Sequence, residues 1–127
     1  MSWYYTISSD YQGKEQLADQ HEIKPVNQEV SLGSVAFLIK SISDENRLRI
    51  LLSLRNGRKT VSGLVEEMKL SQPLVSHHLK ELRRSLLVKV ERKGVFVYYQ
   101  MADPRIIDII KQFSKLATDL LSQRDTF

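Results

Sequence analysis

Between Thr60 and Leu86 one short pattern occurs twice, with only three residues between its copies. Val61, Leu64, Val65 and Met68 stand at i, i+3, i+4 and i+7, the spacing of one face of a helix of about two turns, and Thr60 offers a capping hydroxyl directly before them. After Lys69-Leu70, Ser71 is a second cap. Pro73 falls in the first turn, where a missing amide hydrogen costs little, and Val75, Leu79, Leu82 and Leu86 form an apolar stripe. Two short helices so closely joined have the length and spacing of a helix-turn-helix.

The flanks extend this motif in a fixed order. Upstream, Val35, Leu38, Ile39 and Ile42 share one helical face, and Ser43 or Asp44 caps a helix whose Leu48, Leu51 and Leu52 point inward until Asn56-Gly57 ends it. Downstream the period changes to two. Val88 and Val90 alternate with charges, Arg92-Lys93-Gly94 supplies a turn, and residues 95–99 form a β-branched and aromatic run. Asp103-Pro104 then restarts a helix with a broad apolar face from Ile106 to Leu121. The expected fold is mainly α with a small β-hairpin: a winged helix-turn-helix of five main helices plus a wing. Residues 1–27 read as an N-terminal arm, 28–122 as the domain and 123–127 as a C-terminal tail.

Composition narrows the function. The chain has 127 residues, about one domain, and no cysteine, which removes disulfides, thiol redox chemistry and thiolate metal sites. No apolar run approaches a membrane span and the first residues lack a secretory pattern, so the expected location is cytoplasmic, away from any membrane. Net charge is +4, but residues 1–40, 41–101 and 102–127 carry −2, +6 and 0. A basic middle between near-neutral ends fits a central surface that meets a polyanion.

The polar side of the fourth helix gives that surface a chemistry. On a wheel with Val75 at zero, Leu79, Leu82 and Leu86 lie within about 40°, while Pro73, Ser76, His77, Lys80 and Arg84 lie opposite. Gln72, Ser76 and His77 have donors and acceptors for base edges; Ser71, Lys80 and Arg84, with Arg92 and Lys93 on the hairpin, suit phosphates. His78 borders the core stripe and reads as a packed, hydrogen-bonded residue. Adjacent helical positions diverge, so His77 and His78 do not form a metal site. No nucleophile, base and orienting group cluster, and no glycine-rich phosphate loop is present, so neither an enzyme nor a cofactor is expected.

The segment Leu70-Ser71-Gln72-Pro73-Leu74-Val75-Ser76-His77-His78-Leu79-Lys80-Glu81-Leu82-Arg83 closely resembles the recognition helix of ArsR-type repressors. Residues 44–51 resemble that family's second helix, and residues 94–99 its wing. The resemblance implies a dimeric winged-helix repressor that leaves its operator when an effector, commonly a metal ion, binds. At the family's Cys-x-Cys metal site this chain has Thr60, Val61 and Ser62; at the site on the last helix it has Asp103, Arg105, Leu116 and Asp119, with both imidazoles gone. Hydroxyls do not replace thiolates for soft metals, and Arg105 adds a competing positive charge. Leu86 stands where the family usually has glycine. Leucine resists the left-handed conformation, which predicts a longer fourth helix or a different turn.

Surplus apolar residues on the first and last helices, Val35, Leu38, Ile39, Ile106, Ile110, Phe113, Ala117 and Leu120, are assigned to a two-fold interface between copies. Such a homodimer reads a pseudo-palindromic double-stranded operator. Trp3, Tyr4, Tyr5 and Tyr11 in the arm suit anchoring to apolar surface or walling a ligand pocket. The expectation is thus a sequence-specific repressor released by an unidentified non-thiol, non-metal signal. The competing reading is a winged-helix protein-interaction module that does not bind DNA specifically.

Overall fold

The computed structural model describes residues 30–124, so the arm, with its aromatic cluster, and the last three residues of the tail lie outside the described residues. The elements run α1 (Leu32–Ile42), α2 (Glu45–Ser53), a 3-10 turn (Leu54–Asn56), α3 (Val61–Met68), α4 (Gln72–Arg84), β1 (Val88–Lys93), β2 (Phe96–Met101) and α5 (Arg105–Leu121). These are the five helices and hairpin that the periodicity predicts. Contacts divide the chain into two units, Met1–Ala36 and Phe37–Phe127, and the core lies in the second. The described part of the first is residues 30–36, including the start of α1, where Val35 is exposed.

Each boundary has a local cause. Asp44 Oδ1 accepts the Arg47 amide at 3.0 Å, which selects Asp44 rather than Ser43 as the cap of α2. Thr60 Oγ1 accepts the Gly63 amide at 3.1 Å, and Ser71 Oγ the Leu74 amide at 3.3 Å. Lys69 stops α3 in the left-handed region, with φ 58°, and turns the chain into α4. The core is built from Ile50, Leu51, Leu54, Leu64, Met68, Val75, Leu79, Leu82, Leu87, Val88 and Ile110, so every element from α2 to β1, together with α5, contributes to it.

Leu86 corrects two expectations. Helix α4 does not run on: it ends at Arg84, and Leu86 adopts φ 65°. The Leu87 amide bonds the Leu82 carbonyl at 2.9 Å and the Leu86 amide that of Arg83 at 3.0 Å, the pair that defines a Schellman stop. Buried Leu82 and Leu87 supply the apolar contact of that motif, so leucine is held in a glycine-like conformation. Nor does Leu86 belong to the core stripe; it is 80% exposed, because the left-handed residue turns its side chain off the helix face.

The hairpin pairs Val88 with Met101 through Lys93 with Phe96, leaving Gly94 and Val95 as a two-residue turn. Arg92 and Lys93 therefore end β1 instead of forming the turn. Gly94, at φ 61°, takes the first turn position that such a tight connection reserves for glycine. Lys59 adds a short third rung: its amide bonds the Tyr99 carbonyl at 2.9 Å and its carbonyl accepts the Tyr99 amide at 2.7 Å. This tie fastens the chain before α3 to the wing.

The last helix is inward-facing only in its first turns. Ile110 belongs to the core, and Ile106, half-buried, packs against it. Beyond Ile110 every residue of α5 is exposed, including Phe113, Leu116, Ala117 and Leu120. No helix among the described residues is long and apolar enough to cross a membrane.

Candidate nucleic-acid interface

Helix α4 buries Val75, His78, Leu79 and Leu82 and turns Gln72, His77, Lys80 and Arg84 outward; Ser76 is half-buried between them. The separation follows from the 100° step per residue: once the leucine stripe is in the core, the strip opposite must face solvent. Ser71, at the N-terminal end of that strip, is exposed while its oxygen caps the helix. The capping bond leaves the hydroxyl hydrogen free to donate to an anion beside the helix N-terminus.

On the hairpin, strand alternation sends Arg92 to the face of Val90 and Lys93 to the face of Glu91 and Phe96. The two cations thus flank the wing rather than share one side. Lys93 Nζ lies 3.9 Å from Glu91 Oε1, a loose and exposed pair, whereas Glu91 Oε2 accepts a 2.8 Å hydrogen bond from Arg58. That bond holds the Glu91 carboxyl below its ordinary range. The Arg58 guanidinium carbon also stands 4.3 Å from the centre of the Tyr98 ring, so one side chain grips both strands. At the tip, Val95 and Phe96 are exposed.

Three features of this surface go beyond the residues that the sequence singled out. Arg84, expected as a free phosphate contact, is drawn to Glu81 at 2.8 Å, while its neighbour Arg83 is exposed and has no ion-pair partner among the described residues. Lys69 is exposed in the turn between α3 and α4, beside Ser71. Arg58 positions the wing from 33 residues away in sequence. Arg83 was open to detection, since it lies seven residues after Ser76 on the same helical face; the Arg58 contact leaves no local signal.

His78 is buried, as its place beside the stripe predicts, but it is not hydrogen-bonded: neither ring nitrogen has a partner among the described residues. Its nearest carboxylate oxygen, Asp44 Oδ1, is 3.8 Å from Nε2. Burial holds the His78 pKa below its ordinary value, against the pull of Asp44.

The positions where the resemblance places effector metals are engaged otherwise. Thr60 Oγ1 caps α3, and the Arg105 guanidinium forms a two-toothed contact with Asp103, at 3.2 and 2.9 Å to Oδ2. Arg105 also holds the Asp103 carboxyl below its usual range. A carboxylate so covered, with leucine at 116, is a poor donor set for zinc.

Residues 44–90 match the profile of the bacterial regulatory protein arsR family. Over 82 residues the chain is 37% identical to an uncharacterized HTH-type transcriptional regulator, MJ1325, of Methanocaldococcus jannaschii, covering 64% of this chain and 92% of that one. It is 33% identical to an arsenical resistance operon repressor of Staphylococcus aureus, covering 70% and 86%. The crystal structure of NolR from Sinorhizobium fredii superposes with a TM-score of 0.63 at 28% identity, covering 74% of this chain and 93% of that one. Sequence, fold and the exposed strip of α4 converge: the chain belongs to the ArsR family and is a winged helix-turn-helix, DNA-binding transcriptional repressor.

Proposed function

We propose that the protein acts as a cytoplasmic homodimer on a pseudo-palindromic operator, reading bases with Gln72, Ser76 and His77 and holding phosphates with Ser71, Lys80, Arg92 and Lys93. The observation that carries this reading is the strip on α4: polar, cationic, exposed at Gln72, His77, Lys80 and Arg84, and flanked by the Arg92-Lys93 end of the wing. Arg84 joins the phosphate set by exchanging Glu81 for DNA, and Arg83 supplements it. The domain taken to do this work is 28–122.

The dimer reading rests on α5. A soluble monomer rarely leaves Phe113, Leu116 and Leu120 each about half exposed along one helix, and an isologous contact covers such a stripe. From α1, Leu38 and Ile39 supply further exposed apolar area, and Val35 adds to it on the same helix.

The releasing signal is neither thiol nor metal, because the cysteines are missing and Asp103 is engaged by Arg105. Gel shifts test the DNA part. Gln72→Ala and His77→Ala weaken operator binding and relax its specificity, each by about 1–3 kcal/mol, the usual worth of a side chain's hydrogen bonds to a base edge. Lys93→Ala lowers affinity for all sequences and reduces the salt slope by about one. Unchanged affinity in all three variants refutes the assignment.

A further inference from the structure

A cleft of about 190 Å³ opens where the end of α1, the start of α2 and the end of α4 meet, on residues the DNA reading leaves largely unused. Phe37, Lys40 and Ser41 line it from α1, Arg47 from α2, and Glu81, Arg84 and Ser85 from the end of α4. Three cations against one carboxylate leave the walls with an excess positive charge, and that carboxylate, Glu81, is already paired with Arg84 at 2.8 Å. Lys40 has no ion-pair partner among the described residues. Arg47 is half-buried and fixed, its Nε donating to the Ser41 carbonyl at 2.6 Å, which leaves its terminal nitrogens to other acceptors. Ser41 and Ser85 join hydroxyls at 2.6 Å beneath them. At the mouth the Phe37 ring is half exposed.

We propose that this cleft binds a small organic carboxylate with a flat apolar body, the acid group held by Lys40 and Arg47 and the body lying on Phe37. The volume equals about six waters at liquid density, below the range of drug-sized pockets and right for a single-ring acid. A duplex phosphate is the less suited occupant, because a recessed, part-buried guanidinium is reached by a free ligand more readily than by a stiff polymer surface. Two walls, Glu81 and Arg84, belong to α4, and Arg84 stands at the C-terminal end of the polar strip assigned to DNA. A bound carboxylate competes with Glu81 for Arg84 and repels Glu81, displacing the end of α4 and weakening operator binding. This last step rests on the DNA reading of α4; the binding step does not.

The test is titration of the full chain with benzoate, with benzamide as the neutral counterpart and inorganic phosphate as the non-organic anion, followed by amide NMR shifts and by operator affinity. Expected are saturable shifts at Lys40, Ser41, Glu81 and Ser85 with benzoate alone, about fivefold weaker in Lys40→Gln and unchanged in Lys115→Gln, an exposed lysine on α5. Operator affinity falls as benzoate saturates. Absence of saturable shifts at millimolar benzoate overturns the proposal, as does equal binding of benzamide or phosphate, which removes the organic-acid chemistry. Loss of operator affinity in Lys40→Gln without ligand reassigns the cleft to the DNA backbone and also overturns it. Benzoate binding with operator affinity unchanged overturns the regulatory step alone. If no DNA sequence binds at all, the DNA reading fails while the NMR result still decides the cleft.

Discussion

Nε2 of His78 lies 3.8 Å from Oδ1 of Asp44, the oxygen that caps α2, so the buried ring of α4 stands against the start of α2 without a hydrogen bond. A charge–charge contact at this distance favours protonated His78, but burial, Arg47 and His77 oppose it. The desolvation of a nearly enclosed ring prevails, and the folded protein keeps it neutral.

That balance sets a pH dependence. The unfolded chain takes up the His78 proton near pH 6.5 and the folded chain only at lower pH, so the stability tied to this residue is complete above about 6.5 and is lost as pH falls below it. Asp44 behaves as a carboxylate with lowered pKa: its contribution is present above the ordinary carboxylate range and disappears only in stronger acid. Urea melts between pH 7.5 and 5, a window of about one unit or more either side of free histidine, are expected to show a slope of at most about 1.4 kcal/mol per pH unit that His78→Leu flattens. Stability that rises toward pH 5.5, the acid side of the free value of about 6.5, means instead that the charged pair prevails.

Leu86→Gly is expected to stabilise the protein by about 0.5–1 kcal/mol. The left-handed conformation costs leucine about 1–2 kcal/mol, and glycine gives back only part of that gain through its freer unfolded chain. The exposed side chain makes no core contribution to lose. Thermal and chemical melts check this, and a less stable glycine variant refutes it.

Phe113→Glu and Ile110→Glu separate the two halves of α5. A carboxylate at Ile110 enters the core and unfolds the domain, whereas one at Phe113 faces solvent and leaves the helical content intact. Sedimentation velocity should then find Phe113→Glu monomeric where the parent is a dimer. A folded, dimeric Phe113→Glu removes this face from the interface.

Arg58→Ala tests the wing's mooring. The Glu91 contact and the stacking on Tyr98 are both partly exposed, so stability should fall only slightly. Operator affinity is expected to drop about threefold, with its salt slope unchanged, because a loosened wing changes orientation and not the number of phosphates neutralised. Anisotropy titrations at several salt concentrations distinguish this from Lys93→Ala; a lowered slope in Arg58→Ala makes Arg58 a phosphate contact.

The helices, their caps and the presence of a hairpin were legible, though not its exact turn, because each depends on residues a few positions apart. Apolar period, a capping hydroxyl or carboxylate, and a glycine at positive φ act within one turn. The polar strip of α4 was legible for the same reason: burying Val75, Leu79 and Leu82 leaves Gln72, His77 and Lys80 only one way to face.

What the sequence could not determine depends on residues distant along the chain. Periodicity placed Ile110 and Phe113 on one face of α5, but the helix outruns its own domain after Ile110, so one is core and the other bare. Leu86 fits the stripe of α4 by spacing, yet the pull of Leu87 and Val88 into the core ends the helix first and turns Leu86 outward. Arg58 and Glu91, like Lys40 and Arg47, have roles only where tertiary packing brings their elements together. Local spacing therefore determined the elements and the polar face of α4, while packing decided where each element stops, which apolar residues remain uncovered and which charges share a cleft.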